Sequence, residues 1–137
     1  MTDSKYTSVT ENTGHFRCET TYTPSGLKTF TDLPPVFNGL AEYPSPGAML
    51  AATLASCTVS LLSVIAAKKE VDLTGIRIQA HAVETDQGVA QIALKIIMPL
   101  SGDHPLRSVL EKAAHTCPVR RSLRADLDTP IEWEWKN

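Results

Sequence analysis

One stretch of this chain constrains its fold more than any other, because residues 48–67 are almost entirely apolar or small. The stretch is long enough to cross a bilayer, but hydroxyl and thiol side chains interrupt it, so we interpret it as a buried helix rather than a membrane span. A helix that is apolar on nearly every face has to be central and covered all round. The interrupting residues are Thr53, Ser56, Cys57, Thr58, Ser60 and Ser63.

The ends of this helix can be predicted from the flanking residues. Ser45 and Pro46 are typical of a helix start, with the serine as N-cap and the proline at the first helical position. We expect the helix to continue to Glu70 and to have Lys68 and Lys69 in its last turn, where positive charge is favourable. The predicted helix therefore covers residues 46–70.

The remaining segments predict an α+β fold. The turn residues Thr23-Pro24-Ser25-Gly26 separate two segments rich in Thr, Phe and Tyr, which indicates an N-terminal β-hairpin. Apolar and polar residues alternate in three later segments, and we expect Pro99 to end the second of these strands. The order β-β-α-β-β-α-α-β is not strictly alternating, so we expect an α+β fold in one domain, residues 1–137. The predicted strands are 14–22, 27–33, 73–83, 89–98 and 131–135, and the later helices are 105–114 and 118–123.

Composition narrows the class of protein. The formal net charge of −2 gives no general attraction to nucleic acid or to an anionic membrane. The polar N-terminal residues 1–14 lack the features of a signal peptide. Three cysteines are too few for a secreted disulfide scaffold, so we expect a cytoplasmic protein whose thiols are reduced at rest.

Two of the cysteines are candidates for chemistry. Cys57 lies inside the apolar helix, where a free cysteine is more often a small core residue than a nucleophile. Cys117 directly precedes Pro118 and is predicted to be the N-cap of a short helix, where free backbone N–H groups favour a thiolate. Arg120 and Arg121 follow within one turn and either add positive potential or form a solvated face. From the residues alone, both interpretations of each cysteine remain open.

Metal and cofactor motifs do not occur in the sequence. The chain has no C-x-x-C, H-x-x-x-H, H-E-x-x-H, G-x-G-x-x-G or P-loop pattern. His115 lies two residues from Cys117, but the pair has no obvious further metal ligands, and its spacing does not indicate a Cys-His hydrolase. We expect no metal and no cofactor.

Three segments together resemble the OsmC/Ohr family, that is, osmotically inducible protein C and the organic hydroperoxide resistance proteins. Residues 45–58 (SPGAMLAATLASCT) are similar to the central-helix cysteine motif of that family. Residues 66–76 are similar to the helix end and the following strand. Residues 113–123 (AAHTCPVRRSL) resemble the second cysteine motif, in which Cys-Pro opens a helix. The resemblance extends over residues 14–135.

This resemblance implies an OsmC-like fold and a reaction. Family members are intertwined homodimers in which the partner chain buries the central helix. In the peroxidatic members, the first cysteine attacks an organic hydroperoxide and the second forms a disulfide with it. A dithiol reductant, lipoyl-linked in the best-known members, then reduces the disulfide. The resemblance makes Cys57 peroxidatic and Cys117 resolving, whereas the electrostatic argument for a lowered pKa favours Cys117.

One departure from the family pattern concerns the activating arginine. Peroxidatic members have a Glu after the Ser/Asn-Pro pair that holds this arginine, and the present chain has Gly47 there. Arg17 is the candidate arginine, and without that Glu we expect it to be less constrained. Glu42 could substitute, but simple solvation of a loop residue is the favoured interpretation. Cys18 is interpreted as a strand residue.

Two functions follow. The first is a thiol-dependent peroxidase that acts on organic hydroperoxides, which the presence of both Cys57 and Cys117 favours. The second is a non-catalytic or redox-sensing dimer that binds a small apolar ligand between subunits, which Gly47 favours.

Overall fold

The computed structural model describes residues 5–137 and has two compact units. One unit extends to Met49, and the other comprises Leu50–Asn137. The first four residues of the polar N-terminal segment lie outside the described part of the chain. That all residues form a single domain stays a prediction.

The described residues contain six strands and three α-helices. The α+β arrangement and the three helices were predicted, but only five of the strands were. A short 3-10 helix, Pro35–Phe37, precedes the long helix. The strands are β1 (Ser8–Gly14), β2 (Arg17–Tyr22), β3 (Leu27–Thr31), β4 (Arg77–Thr85), β5 (Gly88–Ser101) and β6 (Ile131–Lys136), and the helices are α1 (Pro46–Ala67), α2 (Arg107–Ala113) and α3 (Pro118–Ser122).

The N-terminal unit contains an antiparallel sheet in the order β1-β2-β3. The turn predicted at residues 23–26 joins β2 to β3, so that hairpin is confirmed. The prediction that one strand covers residues 14–22 was wrong, because His15 and Phe16 have φ values of 53° and 61° and form a turn between two strands. β1 was missed because all its residues are exposed, so it has no apolar alternation to detect.

The C-terminal unit contains a second sheet, in which β5 pairs antiparallel with β4 and parallel with β6. The prediction that Pro99 ends a strand was wrong, since β5 continues to Ser101. The pairing of β5 with β6 is irregular between Ile97 and Ser101, so Pro99 lies where the regular ladder is interrupted. Proline is tolerated in strands at such positions because no ladder bond to its nitrogen is needed.

Helix α1 begins as predicted, since the Ala48 N–H donates to the Ser45 Oγ at 3.1 Å. Its regular part ends at Ala67, three residues earlier than predicted. There Glu70 adopts a left-handed φ of 59°, and the Val71 N–H donates to the Ala66 carbonyl. This is the hydrogen-bond pattern of a Schellman cap, which closes the helix and turns the chain toward β4.

One face of α1 packs against β5 and forms the core of the C-terminal unit. The other face is not covered by the described residues of its own unit. In an 18-residue window with a mean hydropathy of 2.0, only 28% of the residues are buried. By length and composition alone such a helix could also cross a membrane, but its hydroxyl groups and its packing on a sheet favour a core helix. The buried residues of the packed face are Ala51, Leu54, Ala55, Thr58, Leu62 and Ala66 on α1, opposite Ile92, Leu94, Ile96 and Met98 on β5.

Candidate active site

Cys117 occupies the N-cap of α3, as the Cys-Pro pattern predicted. Pro118 takes the first helical position, where its missing N–H costs nothing. The Cys117 Sγ accepts a hydrogen bond from the Arg120 N–H at 3.4 Å. The side chain is completely buried. Cys117 is therefore a fixed thiol that solvent does not reach in this chain.

Cys57 lies on α1 and packs against the cluster that contains Cys117. Its thiol interacts with the Cys117 thiol and with the Val119 N–H. Both cysteines are free. The structure thus brings together the two thiols that the resemblance paired, in direct contact at the start of α3.

Burial is the main influence on the acidity of Cys57. Loss of hydration raises the pKa of the Cys57 thiol above its ordinary value, and the hydrogen bond to Cys117 raises it further. The Val119 N–H acts in the opposite direction but does not offset the burial. Cys57 is nevertheless half-buried, whereas Cys117 is inaccessible. Accessibility therefore favours Cys57 as the thiol that meets a small-molecule oxidant.

Arg120 has a structural role that the sequence did not reveal. Its guanidinium donates to the hydroxyl of Thr129 at 3.0 Å and to three backbone carbonyls. Each of these acceptors is uncharged. Arg120 thereby ties the segment after α3 to the helix that Cys117 caps, so it is not part of a solvated face, whereas Arg121 is exposed. The carbonyl acceptors belong to Arg124, Ala125 and Leu127.

Arg17 is fixed by a second cluster, in the N-terminal unit. Its Nε and Nη2 donate to the two carboxylate oxygens of Asp32, each at 2.8 Å. The Nη2 also donates to the Glu42 Oε1 at 2.6 Å, and the guanidinium lies over the Tyr43 ring at 4.7 Å. A guanidinium held by two carboxylates and an aromatic face has one orientation.

Asp32 is the centre of this cluster and is completely buried. Its Oδ2 also accepts the backbone N–H groups of Glu42 and Tyr43, at 2.9 and 3.1 Å. The Arg17 guanidinium holds the pKa of the Asp32 carboxyl well below its usual range, and the two N–H bonds act in the same direction. In turn, Asp32 and then Glu42 raise the pKa of Arg17. This is a charge pair whose acceptor oxygens are satisfied by hydrogen bonds.

The sequence analysis missed Asp32, although a signal for it exists. The turn at residues 23–26 pairs Tyr22 with Leu27 and Cys18 with Thr31. Continuing that register by one residue places Arg17 opposite Asp32. Opposite charges in such a cross-strand position attract each other. The hairpin register alone could therefore have identified the carboxylate partner.

Two expectations about this cluster were wrong. Glu42 is not merely a solvated loop residue, since it is ion-paired with Arg17. Arg17 is not loosely held for want of a Glu at position 47, because Asp32 and Glu42 both hold it. Cys18 is a residue of β2, as predicted. Arg17 and Glu42 belong to the N-terminal unit and the two thiols to the C-terminal unit.

In the described part of the chain, no three His, Cys, Asp or Glu side chains are grouped so that they could hold a metal ion.

Solved structures show the same fold. A protein from Psychrobacter arcticus 273-4, named as a candidate osmotic stress induced and detoxification response protein, is 25% identical, with a TM-score of 0.89 over 96% of this chain and 98% of its own. The organic hydroperoxide resistance protein OsmC from Legionella pneumophila is 19% identical, with a TM-score of 0.70 over 96% and 99%. An organic hydroperoxide resistance protein from Elizabethkingia anophelis is 16% identical, with a TM-score of 0.69 over 98% and 100%.

These structures define the class as α+β proteins of the OsmC-like fold. The family profile described as OsmC-like protein matches residues 39–132. The chain belongs to the OsmC/Ohr family, which confirms the resemblance stated from its two cysteine motifs. No curated protein matches it.

Proposed function

We propose that this protein is a cytoplasmic thiol peroxidase that reduces organic hydroperoxides through Cys57 and Cys117. The observation that carries the proposal is the contact between a half-buried thiol and a completely buried one. Two neighbouring thiols of this kind are the starting arrangement for a disulfide between them. The names of the Legionella and Elizabethkingia proteins, which share this fold, support an organic hydroperoxide as substrate.

The proposed cycle has three steps. The Cys57 thiolate attacks the terminal oxygen of the hydroperoxide, so that an S–O bond forms, the O–O bond breaks, and the alkoxide takes a proton to leave as an alcohol. Cys117 then attacks the sulfur of the Cys57 sulfenic acid, which forms the S–S bond and releases water. A dithiol, lipoyl-linked in the best-known members of the family, reduces the disulfide by two thiol exchanges and becomes a disulfide itself.

Arg17 is proposed as the cation that activates Cys57. Burial makes the Cys57 thiol less acidic, and only the thiolate is nucleophilic. A fixed positive charge would offset that effect. Arg17 is suited to this role because Asp32 and Glu42 prevent it from turning to solvent. In this proposal the arginine acts from either chain of a dimer.

The dimer is proposed because one face of α1 remains uncovered. The exposed residues of this helix include Val64, and most of its apolar window is not buried by its own chain. A second copy that packs on this face would remove the apolar surface from water. A homodimer is the commonest assembly that meets this need.

A turnover assay tests the function. Purified protein with cumene hydroperoxide and a dithiol should consume peroxide catalytically. Cys57→Ser should abolish turnover, and Cys117→Ser should leave Cys57 as a sulfenic acid that dimedone traps. Cys18→Ser is the control and should keep full activity.

The alternative function is a non-catalytic dimer that binds a small apolar ligand. It was favoured by Gly47, but the two carboxylates on Arg17 weaken that argument. Absence of turnover in a folded, reduced protein would make this alternative the leading one.

A further inference from the structure

A buried hydroxyl adjoins the thiol pair. The Oγ1 of Thr58 lies 3.8 Å from the Cys117 Sγ and 2.9 Å from the Leu54 carbonyl oxygen. Thr58 is completely buried, and it follows Cys57 directly on α1. Its position makes it the polar neighbour of Cys117 on the helix that carries the other cysteine.

The direction of these hydrogen bonds follows from counting protons. A threonine hydroxyl has one proton, and the Leu54 carbonyl can only accept, so the hydroxyl proton points to Leu54. The contact of Thr58 with Cys117 must then use a lone pair of the hydroxyl oxygen. Cys117 therefore donates its S–H to Thr58, while its sulfur accepts the Arg120 N–H.

This arrangement fixes the orientation of the Cys117 thiol. Its proton is directed to Thr58, and its remaining lone pair is available to Cys57, whose thiol packs against the same cluster. That lone pair is the one that must attack Cys57 after Cys57 has been oxidised. Without the threonine acceptor, the S–H would be free to turn away from this orientation.

We propose that Thr58 is a positioning residue for the resolving step, an inference that rests on the proposed function. Thr58 does not touch the substrate and forms no covalent bond. It holds Cys117 so that its sulfur attacks the Cys57 sulfenic acid; the S–O bond breaks, the S–S bond forms, and the Cys117 proton leaves with the hydroxide as water. Thr58 should therefore affect disulfide closure and not the attack on the hydroperoxide.

The test compares Thr58→Val, which keeps the shape and removes the hydroxyl, with Thr58→Ser, which keeps the hydroxyl. The reduced full-length variants receive stoichiometric cumene hydroperoxide without reductant. Samples are quenched over time with dimedone and an alkylating agent, and mass spectrometry counts the thiol, sulfenic acid and disulfide forms. Thermal unfolding shows that each variant is folded.

For Thr58→Val, we expect the Cys57 thiol to be lost at the wild-type rate. Closure of the disulfide should be slowed about three- to tenfold, which corresponds to the free energy of one hydrogen bond. Sulfenic acid should accumulate. Thr58→Ser should close at the wild-type rate. Closure of Thr58→Val as fast as wild type, or equal slowing of both variants, would overturn the proposal.

A second oxidant separates this inference from the proposed function. Diamide adds to the Cys57 thiolate, and Cys117 then displaces the hydrazine to form the same disulfide. If the wild-type protein closes its disulfide with diamide but does not react with hydroperoxide, the peroxidase function fails. The rates of disulfide closure with diamide in Thr58→Val and Thr58→Ser then test the role of Thr58. Closure should again be slowed in Thr58→Val and not in Thr58→Ser.

Discussion

The fixed cation of this protein is built from residues that lie far apart in the sequence. Arg17 is at the start of β2, Asp32 directly follows β3, and Glu42 lies in the loop before α1. Asp32 accepts four hydrogen bonds, two from the guanidinium and two from backbone N–H groups. Because the backbone bonds connect Asp32 to the loop, the same carboxylate orders both the arginine and the chain that leads to α1.

The first prediction concerns Asp32 and pH. Its pKa is lowered in the folded chain, so its stabilising contribution is fully present above its unfolded pKa of about 3.9 and is lost as the pH falls toward the folded value. Asp32→Asn should lower the free energy of unfolding at pH 7 and flatten the loss of stability below about pH 4. Urea unfolding at several pH values measures both effects.

Glu42→Gln is the matched control for this prediction. Glu42 also pairs with Arg17, but its side chain is mostly exposed, so its ion pair is screened by solvent and contributes little to stability. The unfolding free energy of Glu42→Gln should stay close to that of the wild type. Equal acid sensitivity of Asp32→Asn and wild type would show that Asp32 is not the group responsible.

The second prediction concerns the proposed activation of Cys57. If Arg17 lowers the thiol pKa, Arg17→Ala should shift the pH profile of Cys57 alkylation to higher pH, and the peroxidase rate at pH 7 should fall with it. Iodoacetamide labelling followed by mass spectrometry gives the profile for this single cysteine. An alkylation profile that Arg17→Ala leaves unchanged would remove Arg17 from the mechanism.

At the level of elements, the sequence was most informative where local chemistry decides the structure. The start of α1 at Ser45-Pro46 and the start of α3 at Cys117-Pro118 were predicted because capping depends on neighbouring residues. β1 could not be predicted, since its stability comes from pairing with β2 and not from its own pattern. The passage of β5 through Pro99 likewise depends on its irregular pairing with β6.

The residues of the candidate site also differ in whether the sequence could predict their roles. The cysteine pair was predicted from motifs along the chain. The roles of Thr58, Asp32 and Arg120 depend on partners that are distant in sequence or lie in another element, so the residues alone did not indicate them. The hairpin register was the one sequence signal that could have identified Asp32.

The third prediction concerns the packed face of α1. Leu62 is completely buried against β5, and Leu62→Ala would leave a cavity. We expect a loss of about 2–5 kcal/mol in the free energy of unfolding. Leu27 is exposed on β3, and Leu27→Ala should change stability by no more than about 0.5 kcal/mol. Chemical denaturation compares the two variants, and equal effects would contradict the packing described for α1.

At the scale of the whole molecule, the fourth prediction concerns assembly. Val64 on α1 and Val109 on α2 are equally exposed in the chain, at 53% and 50%. If a second copy covers α1, Val64→Lys should place a charge in the interface and yield monomer, whereas Val109→Lys should leave the dimer intact. Sizing chromatography with light scattering at micromolar concentration measures this. A monomeric wild-type protein would refute the dimer.

The central claim is that Cys57 and Cys117 form one redox unit, and the most direct test is to identify the disulfide. The fifth prediction is that reduced protein treated with one equivalent of cumene hydroperoxide, then alkylated and digested, gives a peptide in which Cys57 is linked to Cys117. Cys18 should be recovered in its alkylated form. A disulfide that includes Cys18, or two cysteines that remain fully alkylated after hydroperoxide treatment, would contradict the account.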